Sequence, residues 1–153
     1  MADLEGTRSI EIAAPAEQCF AIAADLDHVP EWHGAMTSVQ VLERDADGRA
    51  TLVDSEMDAS VTTVSMRLRF SYDEPSAVRW TREDGDLKSL DGSWHFETSR
   101  EGLTVARYAL EIGLGRRLAM LVKTVRGPVR ARVESLLTDR PVEGLKARAE
   151  SAG

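Results

Sequence analysis

The chain has 153 residues, 42% hydrophobic and 29% charged, with a formal net charge of -7. That length suits one domain and is short for two, and the apolar content excludes a disordered polyelectrolyte. The acidic balance argues against general nucleic-acid binding, no apolar run approaches the roughly 18 residues of a membrane span, and the lone Cys19 cannot form an internal disulfide. Met1 to Ser9 carries Asp3, Glu5 and Arg8 without an apolar segment, so no secretory leader is expected. The expectation is a cytoplasmic, single-domain protein over residues 1–153.

Ile10 and Ile12 alternate with Ser9 and Glu11, which predicts a first strand, and Ala14-Pro15-Ala16-Glu17 then places a proline where a helix can start. In that helix Cys19, Phe20, Ile22, Ala23 and Leu26 form one apolar stripe. Asp27 can cap a second short turn through Pro30, Glu31 and Trp32. Val39 and Val41 flank Gln40 in a second strand, and the turn cluster Asp45-Ala46-Asp47-Gly48 joins it to a partner starting near Arg49.

From Thr62 to Tyr72, apolar Val64, Met66, Leu68 and Phe70 alternate with Thr63, Ser65, Arg67, Arg69 and Ser71, the clearest two-residue period in the chain. Glu74-Pro75-Ser76 ends that strand, and the next runs from Val78 until Asp84-Gly85-Asp86. Asp91-Gly92 is expected to introduce Ser93 to Glu97, and Glu101-Gly102 to introduce Leu103 to Ile112. Beyond Gly115 the period becomes helical, with Leu118, Leu121, Val122, Val125, Val129, Val133, Leu136 and Leu137 on one stripe. That stripe should face the sheet, leaving Arg116, Lys123, Arg126 and Arg130 outside, and Pro128 and Pro141 each predict a kink or break.

Four segments, in this order and spacing, carry a family likeness: Ala14-Pro15-Ala16-Glu17, Asp27 to Trp32, Asp91-Gly92-Ser93-Trp94, and Gly144 to Glu150. Together they resemble the START-like (SRPBCC) superfamily, in particular its polyketide cyclase/dehydrase and lipid-transport branch, over nearly the whole chain. The resemblance implies an α+β helix-grip fold. A curved antiparallel sheet of about seven strands would wrap a long C-terminal helix, with two short helices after strand one, around an apolar cavity. Such folds serve carriers, sensors and ring-closing enzymes alike, so chemistry must be read from the residues.

His28 and His33 are five apart, an awkward spacing for one helical face, and nothing completes a metal set, so no metal is expected and both histidines read as partly exposed. Cys19 on an apolar stripe reads as a small hydrophobe. The sequence carries no nucleophile elbow, phosphate loop or dinucleotide fingerprint, and no cofactor is expected.

Trp94 and Phe96 share one strand face, His95 and Glu97 the other. Burial favours the aromatic pair inside. The opposite orientation would put His95 and Glu97 in the cavity as an acid/base pair, and it makes His95, with Tyr108, a candidate catalytic residue. The candidate ligand-binding residues are Trp32, Met66, Phe70, Trp80, Trp94, Phe96, Tyr108, Val122 and Val125, with Arg82 a further polar point near the Trp80 face.

Residues 115–148 carry nine basic against three acidic side chains, a net +6, while the remainder carries ten against 23, a net -13. Three functions follow as expectations: binding or carriage of a hydrophobic lipid, isoprenoid or polyketide-like molecule; a polyketide cyclase or dehydratase; and partner docking through the basic helix. The partner expected first is a hydrophobic small molecule, without nucleic acid or membrane insertion. The oligomeric state is left open, a homodimer included.

Overall fold

Alternation of apolar and polar side chains builds most of this molecule. The computed structural model describes residues 4–58, 62–123 and 127–152, and their side chains save those of Arg117, residues 121–136 and Ala152. The elements are β1 (Leu4–Ile12), α1 (Ala16–Ala24), a 3-10 turn (Leu26–Glu31), β2 (Met36–Arg44), β3 (Ala50–Asp58), β4 (Thr63–Asp73), β5 (Ala77–Gly85), β6 (Ser89–Arg100), β7 (Leu103–Gly113), α2 (Arg116–Lys123) and α3 (Gly127–Ala152). The seven strands form one antiparallel sheet in the order β1-β7-β6-β5-β4-β3-β2. This is the α+β helix-grip architecture that the resemblance implied.

Register sets which side chains share the inner face. Tyr72 pairs with Val78, Val78 with Trp94, Trp94 with Tyr108, and Tyr108 with Arg8. The adjacent row runs from Phe70 to Trp80, Gly92, Leu110 and Gly6. Because partners directly opposite one another point the same way, these rows bring the large aromatics of β4, β5, β6 and β7 together.

Asp91-Gly92 does not form a turn. It lies inside β6, which begins at Ser89. A Cβ at Gly92 would stand 2.2 Å from Trp80 Cε2, so the missing side chain makes room for the indole across the strand pair, while Asp91 accepts a hydrogen bond from Thr81 at 2.8 Å.

The C-terminal segment lies on β1, β7 and α1. Gly6 admits Thr138, whose Cγ2 would be 2.6 Å from a Cβ there, and the Arg8 guanidinium donates to Asp139. Pro128 is the second residue of α3, where a missing N–H is tolerated. At Pro141 the expected break does not occur. The helix continues through a proline that is fully buried beside Val142, so apolar packing offsets the lost backbone bond.

Of the predicted stripe, Leu137 is buried and Leu118 packs against the core, with Arg116 exposed on the other side. The side chains of Val122, Val125, Val129, Lys123, Arg126 and Arg130 lie outside the described residues. Among the described residues no helix is long and apolar enough to cross a membrane.

The last turns of α3 are fastened to the N-terminal segment. Lys146 donates to the Glu11 carbonyl at 2.9 Å, Gln18 to the Ala149 carbonyl at 2.7 Å, and the Ala13 N–H to Glu150 at 2.9 Å. Arg148 reaches Glu31 at 2.9 Å. A Cβ at Gly144 would fall 1.8 Å from the Trp32 carbonyl oxygen, so this glycine lets the helix touch the backbone after the 3-10 turn.

Candidate ligand-binding site

The chain leaves α1 through the short turn Leu26–Glu31 and delivers Trp32 and His33 to the inner side of the sheet before β2 begins. Leu26 and Val29, three residues apart, turn the same way and are buried with them. Together with Ala23 and Met36 they close over Phe70, Trp80 and Trp94, leaving a cavity of about 20 Å³, room for roughly one water.

The aromatic rings form one continuous array. Phe70 stacks on Trp80 with centroids 5.6 Å apart, Trp80 lies 5.7 Å from Tyr108, and Tyr108 lies 4.7 Å from Trp94. Trp94 in turn stacks on Phe96 at 5.8 Å and approaches Trp32 at 6.3 Å. His33 joins at the end, 5.7 Å from Trp32 and edge-on to Tyr108 at 6.3 Å.

His33 departs from its expected exposure: only 4% of it is accessible. Its Nδ1 accepts backbone hydrogen bonds from Ala35 at 3.3 Å and Met36 at 3.1 Å, which explains how an imidazole can be buried at low cost. Burial pushes its pKa down to about 4, so the ring is neutral near pH 7. His28, by contrast, is exposed and pairs with Asp25 at 2.8 Å. The two histidines therefore do not face a common point, and among the described residues no cluster of three His, Cys, Asp or Glu is arranged for a metal.

Trp32, 8% accessible, has a buried Nε1–H without a partner among the described residues. Tyr108 is 1% accessible, and burial raises the pKa of its phenol. Cys19 is fully buried and burial raises its pKa too, the opposite of an activated thiolate.

Trp94 and Phe96 face inward. His95 and Glu97 consequently lie exposed on the outer face, where His95 Nε2 sits 3.4 Å from the Arg79 guanidinium. The acid/base pair inside the chamber is thereby corrected: alternation along β6 turns it to solvent when the large rings are buried.

Of the candidate binding residues, Trp32, Phe70, Trp80 and Trp94 line the cavity. Phe96 and Tyr108 are buried against them, and Met66 is buried with its sulfur accepting the Leu87 N–H at 3.4 Å, away from the cavity lining. The side chains of Val122 and Val125 lie outside the described residues. Arg82 is partly buried near the β5 end, its Nη2 3.4 Å from the Gly85 carbonyl. Ala23, Leu26, Val29, His33 and Met36 are the lining residues that sequence reasoning missed. The spacing of Leu26 and Val29 ahead of Trp32 was the available signal.

The family described as polyketide cyclase / dehydrase and lipid transport matches residues 3–150. The chain belongs to this family. Among solved structures, a START superfamily protein from Mycobacterium smegmatis superposes with a TM-score of 0.79 at 18% identity, covering 97% of this chain and 99% of that one. A Thermus thermophilus protein gives 0.76 at 23% identity, covering 98% and 99%. The Zhui aromatase/cyclase from Streptomyces sp. R1128 gives 0.62 at 17% identity, covering 97% and 90%. At these identities the likeness is one of fold. No curated protein matches the chain. Family and fold support hydrophobic-ligand binding or a polyketide cyclase-type function in general.

Proposed function

We propose that this START-like chain binds and carries a hydrophobic small molecule, of lipid, isoprenoid or polyketide character, against the inner aromatic face of its sheet. The observation that carries this reading is the array from Phe70 to His33: large apolar area with few polar points, the composition that small-molecule sites need. In this reading Trp32, Phe70, Trp80 and Trp94 part to admit the ligand, since the void between them holds about one water, and supply its contact surface, with Phe96 and Tyr108 as backing. The protein acts as one cytoplasmic domain.

A cyclase would require a group that moves a proton inside the chamber. His95 and Glu97 are on the wrong face for that, which favours carriage. For docking through the basic helix, Lys146 and Arg148 are engaged with Glu150 and Glu31 of the same chain, Arg116 is exposed, and the side chains of Arg117, Lys123 and Arg126 lie outside the described residues.

Native mass spectrometry of protein purified without detergent tests the reading. It should show one apolar adduct per chain, absent from Trp94→Ala. A bare protein that also takes up no fatty acid, polyprenol or aromatic polyketide would overturn it. Conversion of a poly-ketone substrate, lost in Tyr108→Phe while binding persists, would replace carriage with catalysis.

A further inference from the structure

Two of the side chains that line the aromatic cavity beside Trp80 and Trp94, His33 and Trp32, are committed as hydrogen-bond donors. In His33, Nδ1 accepts the Ala35 and Met36 N–H groups at 3.3 and 3.1 Å, so its lone pair is used and the ring proton resides on Nε2. No partner of that Nε2–H is found among the described residues. The neighbouring Trp32, whose ring centroid is 5.7 Å away, carries a buried N–H without a partner among the described residues, and indole nitrogen can only donate. Both residues line the same cavity, together with Trp80, Trp94 and apolar side chains and, among the described residues, no lysine or arginine.

Resting on the ligand-binding reading above, we infer that this end of the site selects ligands carrying a neutral hydrogen-bond-accepting oxygen, a ketone or ester carbonyl, held by the His33 and Trp32 N–H groups. An unpartnered buried donor such as the Trp32 N–H is costly, and a ligand oxygen relieves that cost where a plain hydrocarbon cannot, with the His33 Nε2–H as the second donor to the same oxygen. A carboxylate is disfavoured because no cation among the described lining residues would compensate its desolvation. The same tautomer makes His33 unsuited to act as a base towards the ligand: Nε2 already carries the proton, and protonating Nδ1 would break two backbone hydrogen bonds. It is a fixed donor.

The test uses a matched pair of fluorescent probes on the full chain: propionyl-dimethylaminonaphthalene, a ketone, and the propyl counterpart in which a CH2 group replaces the carbonyl. The ketone should bind about fivefold or more tightly than the hydrocarbon, with its carbonyl stretch shifted to lower frequency. His33→Asn, which keeps an acceptor for the Ala35 and Met36 N–H groups but lacks a donor at the Nε2 position, should erase much of that preference, read as the ratio of the two probe affinities within the same variant. Trp32→Phe, which keeps a ring and loses only the N–H donor, should reduce it independently, so the inference does not rest on one variant folding.

Nitrogen NMR of the wild-type imidazole should show the proton on Nε2. A proton on Nδ1, or equal affinity for both probes in the wild type, would overturn the inference while leaving the cavity reading intact. Preference for naphthoate over the ketone would overturn the neutral-oxygen assignment. Binding of neither probe would remove the inference and the cavity reading together.

Discussion

On the inner face of β4 to β7, Phe70, Trp80, Trp94 and Tyr108 are buried with neighbouring centroids 4.7 to 5.7 Å apart. On the outer face of the same sheet, Arg67 donates to Asp54 and Arg69 to Glu83, each at 2.8 Å, and all four side chains remain roughly half exposed. One two-residue period generates both faces, but they are stabilised differently. Burying a large apolar side chain contributes about 1.5–3 kcal/mol, whereas an exposed ion pair contributes little and is screened by salt. Folding and ligand binding should therefore both depend on the inner face, and neither strongly on the outer.

Trp94→Ala should give the largest effect. It removes the ring that touches Tyr108, Phe96 and Trp32, and should destabilise the fold by about 3–5 kcal/mol in denaturant titrations. A loss below about 1 kcal/mol would break the comparison.

His33 gives an effect that can be isolated by pH. Its folded pKa of about 4 lies below the ordinary 6.5, so the unfolded chain binds the proton more readily. The stability linked to neutral His33 is complete above pH 6.5 and is lost as pH falls from 6.5 towards 4, by roughly 3 kcal/mol. His33→Asn should flatten that interval of the stability curve. Asp54, whose pKa the Arg67 guanidinium lowers, contributes only at still lower pH.

Gly92→Ala comes next, at about 1–3 kcal/mol, because its Cβ would be 2.2 Å from an indole that must shift to make room. Trp80→Phe in the same chain should recover part of that loss. Independent effects of the two substitutions in a double-mutant cycle would contradict the proposed fit.

The smallest effect is expected outside. Asp54→Asn and Arg67→Ala should leave the melting temperature and probe affinity unchanged within error. A drop comparable to that of an inner-face variant would erase the distinction between the faces.

The periodicities of Val64 to Phe70 and of the C-terminal segment made the sheet and helix legible, because each repeats one physical requirement many times. Single residues were less legible. Gly92 looks like a turn until the register places Trp80 opposite it, a relation between strands that local sequence does not contain. Pro141 looks like a break until its burial beside Val142 is known. Four cavity residues, Trp32, Phe70, Trp80 and Trp94, could be anticipated as large rings on apolar faces. His33 could not, since its burial depends on two backbone donors that exist only once the chain has turned into β2.

Energy transfer from tryptophan to a bound probe tests the central claim most directly, because all three tryptophans, Trp32, Trp80 and Trp94, lie in the inner-face array. Titration with the naphthyl ketone should give saturable, one-to-one transfer that persists in His95→Ala and is strongly weakened in the folded Trp80→Phe variant. Transfer that never saturates, or that falls in His95→Ala while Trp80→Phe matches the wild type, would contradict binding at the inner face.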